Sequence, residues 1–465
     1  MGRTFRTVTP ADARDLQVRV SDQLPADHLA YFIAAAVRQL DLTAVYATYG
    51  SQGAPPYAPE VLLAVLCYGY ATGTFSSRAL EGAIRESLPL LFLTGGGQPD
   101  HDTLAAFRRR VLPFLPDLFT QVLLLAHAAG VCQLGNLSMD GTKLQANASK
   151  SKAVSAGRLA ELTAQLRQEV DALLAEVAAA ETGQVPPGRQ IPAGVDLAAE
   201  VARREAYLAR LAEAKAVLEA RAEERSTHEQ AQYESKVADR EAKAAALGHP
   251  LRGKPPTPPV PGVRPTDQYN FTDPESRISK NSRDPGFNQH YNGQLAVDQA
   301  SRLVVATSLS NQANDQGTLA ATLAAVQALP AELGQVQSAA LDAGYFSAAN
   351  IALLEAAGIE PYIGTGRDPH HPSWQARFAA QPDPPAADAS AKERMAYRLR
   401  TPAGQACYRL RKSTVEPVVG ILKGVQRYRQ CSLRGEAAVR GEWQLVCLSY
   451  NLRRLRVLQG QAAAA

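Results

Sequence analysis

Two long segments in the middle of the chain carry apolar residues at alternating spacings of three and four. The first is residues 153–182, and the second is residues 196–246, where Arg204 and Lys215 interrupt a heptad pattern. This spacing is typical of helices that pack along one apolar seam. Because the linker GQVPPGRQIPAG separates the segments, the pattern predicts an antiparallel helical hairpin with mostly polar outer faces.

A proline-rich tract, HPLRGKPPTPPVPGVRP, follows the second segment and is expected to form a stiff, extended connector. After it come short runs rich in β-forming residues, HYNGQLAVD, LVVATSLS, VQSAALDAG and IEPYIG, with helical patterns at 317–329 and 347–357. Two adjacent strands followed by alternating strands and helices indicate a mixed α/β sheet. An apolar run that ends at Asp140 supplies one more strand, so the hairpin is expected to interrupt a sheet domain.

Residues 26–130 have apolar residues at helical spacing throughout. Two of the helical patterns, SSRALEGAIRE and PDHDTLAAFRRRVL, flank a glycine-rich turn and weakly resemble a helix-turn-helix motif. A plain helical bundle is an equally good interpretation. Arg108, Arg109 and Arg110 are expected at the exposed end of the second helix.

These patterns predict three domains. An all-α N-terminal domain is expected at 1–133, a sheet domain at 134–152 plus 265–458, and a helical insertion with its linker at 153–264.

With 465 residues, of which 46% are hydrophobic and 20% charged, the composition is that of an ordinary soluble protein. No apolar run approaches the roughly 20 residues that a membrane-spanning helix needs, and the N-terminus lacks the apolar core of a signal peptide. We therefore expect a cytoplasmic protein with no membrane partner. The five cysteines lack metal-ligand spacing and are expected to be reduced thiols.

Positive charge is concentrated near the C-terminal end of the chain. Between Lys392 and Arg456 there are 15 Lys or Arg against four acids, a net charge of +11, although the whole chain carries only +4. Such a segment is suited to a polyanion, because each cation placed near a phosphate releases condensed counterions. A solvated charged surface is the alternative explanation.

Three acids occupy positions that suggest a shared site. Asp140 and Asp342 each follow an apolar run and precede a small residue or glycine. Ligands bind at strand ends in open α/β sheets, and two neighbouring carboxylates repel unless a cation lies between them. Glu416 offers a third acid: Pro417 suits the first turn of a helix, and Lys423 would lie two turns after the glutamate on nearly the same face.

Each acid alone is as well explained by a cap or a turn. Together with the surrounding cations, they indicate a metal-dependent site for phosphodiester chemistry. Asp298 and Asp315 are rival acids, but Asp298 is well explained as a residue of the hairpin around DQASR, and Asp315 lies in a polar loop. Both are therefore expected to be turn or supporting residues.

Several blocks, taken together and in order, resemble the DDE transposases of bacterial insertion sequences, in the branch with an InsH-like helical N-terminal domain. The blocks extend over nearly the whole chain: PPYAPEVLLAVLCYGYATGTFSSRALE, GQPDHDTLAAFRRR, LSMDGTKLQANASK, DPESRISK, YNGQLAVD, LDAGYFSAANI and TVEPVVGILKG. The resemblance implies a ribonuclease-H-like catalytic domain in which Asp140, Asp342 and Glu416 are the catalytic and metal-binding triad. The implied cofactor is two Mg²⁺ ions, for which Mn²⁺ can substitute.

The resemblance also implies a function, that of a DNA transposase that cleaves the ends of its insertion sequence and joins the 3′ ends to target DNA. The implied partners are double-stranded DNA, as terminal inverted repeats and as target, and a second copy of the chain on that DNA. The residues expected to contact DNA are Lys143, Arg277, Lys412, Lys423, Arg434, Arg108 and Arg109. The alternatives are a metal-dependent DNA nuclease without strand transfer and a catalytically silent DNA-binding relative.

The segment before Glu416 departs from the pattern of related transposases, which have an arginine four residues before the glutamate. Here Arg411 lies five residues before Glu416, and Lys412 takes the matching position. Tyr408 keeps its family spacing only to Arg411. The resemblance therefore assigns no role to Tyr408 or Arg411.

Overall fold

The computed structural model describes residues 19–464 except 51, 53, 183–194, 281–285, 313, 367–382 and 387. The chain divides into two compact units, which are Met1–Ala146 with His290–Ala465, and Asn147–Gln289. The three-domain division remains a prediction.

The helices, in chain order, are α1 (Leu29–Val37), α2 (Thr43–Tyr46), α3 (Pro59–Thr72), α4 (Ser77–Glu86), α5 (Leu88–Thr94), α6 (His101–Val111), α7 (Leu115–Ala128), α8 (Ala156–Glu181), α9 (Leu197–Leu247), α10 (Leu319–Gln327), α11 (Ala348–Ala356), α12 (Ala391–Arg400), α13 (Pro402–Gly420) and α14 (Glu436–Ala464). The strands are β1 (Asn136–Gln145), β2 (Ala153–Ser155), β3 (Gln268–Asn270), β4 (Arg277–Lys280), β5 (Phe287–Asp298), β6 (Val304–Ser310), β7 (Ser338–Leu341) and β8 (Glu360–Ile363).

The N-terminal part is helical, as its periodicity predicts. Helix α3 begins with Pro59, whose fixed φ suits a first turn, and ends at Gly73, which has a φ of 90° that only glycine adopts freely. Asp100 caps α6 by accepting the N–H of Thr103 at 2.7 Å. The helix-turn-helix interpretation is wrong in its connection, because α5 lies between α4 and α6.

One helical stretch, His101–Ala128, is long and apolar enough to cross a membrane by length and composition, with a mean hydropathy of 1.5. A 3-10 turn at Leu112–Phe114 divides it into α6 and α7. The apolar residues of α7, such as Leu118 and Val122, are buried against the rest of the unit. The expectation that no apolar run approaches this length is therefore wrong by this measure, although α7 packs its apolar side into the unit.

A mixed sheet forms the other half of this unit. Strand β5 pairs antiparallel with both β1 and β6, whereas β7 is parallel to β1 and β8 is parallel to β7. Within this unit the strand order is β5-β1-β7-β8, with β6 also paired to β5. The prediction of a mixed α/β sheet is confirmed. Asp298 closes the β5–β6 hairpin, where its carboxylate accepts the N–H and hydroxyl of Ser301, both at 2.7 Å.

Two local expectations are corrected by the structure. Strand β1 does not end at Asp140 but continues to Gln145, because it stays paired with β5 over that whole stretch. Pro417 is not in a first turn but inside α13, which already begins at Pro402. The helix then passes into a π-helical turn, Ile421–Val425.

Helix α14 joins the N-terminal helices to the sheet. It packs against α1, α3, α7 and β6, and Trp443 is buried in this contact. The indole Nε1 of Trp443 donates to the backbone oxygen of Gln294 in β5 at 3.0 Å. The five cysteines are buried and lie outside any disulfide, in agreement with the expected reduced thiols.

The second unit is built on α8 and α9, which pack along an apolar seam. Leu159 near the start of α8 is buried with Leu211 and Leu218 of α9. Further along α8, Glu169 accepts a hydrogen bond from Arg204, which lies earlier in α9, at 3.0 Å. The two helices therefore run antiparallel.

The proline-rich tract returns along the second half of α9. Arg240 donates to the backbone oxygens of Leu251 and Gly253 at 2.8 and 2.9 Å. Arg225, more than four turns earlier in the helix, pairs with Asp267 at 2.9 Å. The tract is thus held against the helix by arginines along its length.

Candidate active site

Asp140 and Asp342 lie beside each other on neighbouring parallel strands. Met139 of β1 is paired with Leu341 of β7, so the two aspartates that follow are adjacent where β7 ends. Asp342 then caps a short turn, and its Oδ1 accepts the N–H of Gly344 at 2.9 Å. The sheet therefore brings together two acids that are about 200 residues apart in the chain.

The surroundings of Asp140 disfavour its charged form. Its side chain is only 21% exposed. Burial, followed by the charge of Asp342, raises the pKa of Asp140 to about 7, although Arg411 and the N–H of Gly141 act in the opposite direction. A bound cation would relieve this repulsion, and perturbed carboxylates of this kind are common at functional sites.

Glu416 approaches from α13 and is connected to Asp140 through an arginine. Nη1 of Arg411 lies 3.4 Å from Oδ2 of Asp140, and its Nη2 lies 3.9 Å from Oε1 of Glu416. The Arg411 side chain is 10% exposed, whereas that of Glu416 is 55% exposed. The ring of Tyr408 lies 5.9 Å from the same guanidinium group. The two acids thus lie at the two ends of one guanidinium group.

Asp315 reaches the same edge of the sheet from the loop after β6. Its Oδ1 accepts the side-chain amides of Asn292 and Gln294 at 2.7 and 3.0 Å. A Cβ on Gly141 would lie 2.3 Å from this oxygen, so only glycine fits there. A Cβ on Gly344 would lie 3.5 Å from Oδ2 of Asp315. Asp315 therefore adds a fourth carboxylate. Its position is set by the loop after β6, whose conformation the sequence pattern does not predict.

The donor set suits a hard divalent cation, because carboxylate oxygens are the ligands that Mg²⁺ prefers. Among the residues that the structure describes, no three acids, histidines or cysteines are grouped closely enough to hold a metal ion as they stand. The adjacent pair of Asp140 and Asp342 fits a cation, whereas Glu416 lies on the far side of Arg411.

Comparison with known proteins gives two family matches. Residues 18–110 match the family described as Transposase domain (DUF772), and residues 384–456 match the Transposase DDE domain. The two matches indicate a DNA transposase and are consistent with the DDE transposases of the insertion-sequence type. No curated protein and no solved structure matches the chain.

The second match implies a ribonuclease-H-like fold for this transposase, in agreement with its mixed sheet. It also indicates an enzyme that acts on phosphodiesters, and transposase DDE domains generally use divalent metals. The matched segment contains Glu416 but neither Asp140 nor Asp342. The roles of the three acids are therefore proposals.

The expectation that Arg108 is exposed is wrong, although its neighbour Arg109 is exposed on α6. Nη1 of Arg108 donates to the hydroxyl of Tyr70 at 3.2 Å and to the backbone oxygen of Phe75 at 2.9 Å. The Tyr70 hydroxyl in turn donates to Glu442, which is fully buried. Arg108 thus forms hydrogen bonds inside the protein, because its position on α6 points toward the core.

Lys423 lies close to β1, although not for the reason that its spacing suggests. It belongs to the π-helical turn, so the argument from two regular α-helical turns after Glu416 does not hold. Its Nζ donates to the backbone oxygen of Lys143, three residues after Asp140, at 2.7 Å.

The remaining cations expected to contact DNA occupy different settings. Lys412 and Arg434 are exposed in the first unit of the transposase. Arg277 lies in the second unit, where it donates to the backbone oxygens of Pro274, Glu275 and Ser276. Its guanidinium group thus binds the backbone of the turn that precedes β4.

Proposed function

We propose that this transposase cleaves the ends of its insertion sequence and joins the freed 3′ ends to target DNA. The observation that carries the proposal is the adjacency of Asp140 and Asp342 on parallel strands, with Glu416 linked to Asp140 through Arg411. An acid pair of this kind, in a chain with two transposase matches and a basic C-terminal segment, suits phosphodiester chemistry better than a structural role.

In this proposal Asp140, Asp342 and Glu416 hold two Mg²⁺ ions, for which Mn²⁺ can substitute. When bound, such ions activate the attacking oxygen and stabilise the leaving oxygen in a displacement at phosphorus. The three carboxylates would fix the positions of these ions beside the scissile phosphate, because carboxylates alone repel a phosphate. Lys143 of β1 and Lys423, which bonds to its backbone oxygen, would contact a neighbouring phosphate and hold the DNA strand in that position.

The acids would serve two displacements in succession. In the first, water attacks the phosphodiester at the element's end, the bond to the 3′ oxygen breaks, and a 3′ hydroxyl is left. In the second, this hydroxyl attacks a target phosphodiester, forming a new bond while the target's own 3′ oxygen leaves. Neither displacement requires a covalent bond to the protein.

The unit Asn147–Gln289 would be an insertion that acts in assembly or DNA contact, because it separates β1 from most of β5 along the chain. The proposed partners are the terminal inverted repeats, target DNA and a second copy of the chain, since two ends must be brought together. Exposed cations such as Arg109, Lys412 and Arg434 would contact phosphates.

The test is incubation of the full chain with a 5′-labelled duplex of the element's end, supercoiled target DNA and Mg²⁺. The proposal expects nicked end product and, in addition, labelled strands joined to the target. A metal-dependent nuclease would give nicks and no joined product. A catalytically silent DNA-binding relative would shift the labelled duplex in a gel without nicking it.

A further inference from the structure

A buried cluster of polar side chains ties α13, which carries Glu416, to the strand that carries Asp140. The Oγ1 of Thr414 donates to the Oγ of Ser138 at 2.7 Å. Thr414 is 1% exposed and Ser138 is fully buried, so this contact lies inside the protein, between helix and sheet.

Gln299, just after β5, extends the same cluster. Its Nε2 donates to the Oγ of Ser138 at 3.0 Å and to the backbone oxygen of Cys407 in α13 at 3.1 Å. The Oγ of Ser338 in β7 lies 3.2 Å from the Sγ of Cys407. The helix is thus joined by polar contacts to β1, which carries Asp140, and to β7, which Asp342 follows.

The spacing along each element links this cluster to the acids. Ser138 and Asp140 are two residues apart on β1 and therefore point to the same face of the sheet. Thr414 lies on α13 between Arg411, which contacts Asp140, and Glu416, which contacts Arg411. An apolar contact would allow the helix to slide or rotate on the sheet, whereas a hydrogen bond has a narrow range of distance and angle.

We propose that Thr414 is a positioning residue for the reaction, whose hydroxyl, bonded to Ser138, sets the height and rotation of α13 over β1 and hence the place of Glu416 relative to Asp140. This inference rests on the proposed function. It concerns neither DNA binding nor the metal ligands themselves.

The test compares Thr414→Val, which keeps the shape and removes the hydroxyl, with Thr414→Ser, which keeps the hydroxyl. Two quantities are measured, the single-turnover rate of end cleavage and the Mn²⁺ concentration that gives half of the maximal thermal shift in the absence of DNA. For Thr414→Val we expect the rate to fall roughly 3- to 10-fold and the half-maximal Mn²⁺ concentration to rise by a similar factor, as one lost hydrogen bond allows. Thr414→Ser should keep both quantities near those of the wild type.

The chain offers a matched control in Thr322 of α10, which is 2% exposed and shares a hydrogen bond of 2.8 Å with Ser308 of β6. Thr322→Val should lower the melting temperature about as much as Thr414→Val while leaving the Mn²⁺ midpoint unchanged. End-DNA affinity should stay within about twofold for both variants, because no phosphate contact is lost. Ser138→Ala removes the other partner of this hydrogen bond and should raise the half-maximal Mn²⁺ concentration in the same way. This second variant keeps the test available if Thr414→Val does not fold.

The two ideas fail differently. If the wild type cleaves and responds to Mn²⁺ but Thr414→Val behaves like Thr322→Val, the positioning role is overturned and the proposed function stands. If the wild type shows neither cleavage nor a response to Mn²⁺, the proposed function fails and the positioning role falls with it.

Discussion

Asp140 is a carboxylate whose charge the fold disfavours unless a cation is present. Its pKa is raised to about 7, first by burial and then by Asp342, compared with about 3.9 in an unfolded chain. Between pH 4 and pH 7 the folded protein therefore binds more protons than the unfolded chain. The stability of the metal-free protein should fall as the pH rises through that window and level off above about pH 7.

Asp140→Asn removes the charge and should stabilise the metal-free protein. We expect a higher melting temperature, by on the order of 2 to 5 °C at pH 8, with the difference shrinking toward pH 4. Differential scanning fluorimetry across this range measures it. Adding Mg²⁺ at pH 8 should then raise the melting temperature of the wild type but not that of the variant. A difference that is independent of pH would contradict a raised pKa at this residue.

At the scale of single residues, the sequence predicts that Asp140 and Asp342 lie together better than it predicts the position of each acid within its element. Asp140 and Asp342 could be paired from two similar strand patterns. The position of Asp140 in the middle of β1 could not be predicted, because it depends on the register between β1 and β5. The position of Asp315 beside Gly141 could not be predicted either, because it depends on the loop after β6. Arg411 gave no signal, since its contact with Asp140 requires α13 to lie over β1.

Among the elements, the α8–α9 hairpin contains its own apolar core, and the unit Asn147–Gln289 should therefore fold as an isolated fragment. Circular dichroism should show a helical spectrum with a cooperative thermal transition. Leu211→Ala, at a fully buried position, should lower the free energy of unfolding by about 2 to 4 kcal/mol. Leu174→Ala, at a position that is 48% exposed, should change it by less than about 0.5 kcal/mol. A fragment that is disordered at all concentrations would rule out the hairpin as an independent unit.

The π-helical turn is an element that heptad and α-helical spacing do not predict, because its extra residue per turn leaves no periodic signal in five residues. It carries Lys423 to β1. Lys423→Ala should weaken binding to the element's end modestly and reduce the slope of log affinity against log salt concentration by about one. Lys392→Ala, at an exposed lysine of α12, serves as the comparison. An unchanged slope for Lys423→Ala would exclude a phosphate contact.

For the molecule as a whole, the N-terminal helices share one unit with β1 and β5–β8. The buried contacts among Arg108, Tyr70 and Glu442 join those helices to α14, which packs on β6. Composition and periodicity predict the helices and strands themselves, since most apolar patterns match an observed element. They do not predict this joining, because it brings residues more than 300 positions apart into contact.

Two neighbouring arginines test this arrangement. Arg108→Ala should lower the free energy of unfolding of the whole unit by about 2 kcal/mol or more, because buried hydrogen-bonding groups lose their partner. Arg109→Ala should leave stability within about 0.5 kcal/mol and lower the salt slope of DNA binding by about one. Chemical denaturation and fluorescence-anisotropy titrations measure the two effects. The reverse result, with Arg108→Ala affecting only DNA affinity, would contradict the buried role.

Glu416 is the member of the proposed triad that lies apart from the two aspartates, so single-turnover cleavage by Glu416→Ala is the most direct test of the three-acid site. We expect the rate of end cleavage in Mg²⁺ to fall at least about 100-fold. Even the loss of a residue that only hydrogen-bonds to a metal ligand lowers metal affinity or activity by about 10- to 100-fold. Affinity for the element's end should change little, because it rests mainly on cations. Glu355→Ala, at an acid of α11 that is 46% exposed, is the control and should cleave normally. Cleavage by Glu416→Ala at a rate close to that of the wild type would show that Asp140 and Asp342 work without it.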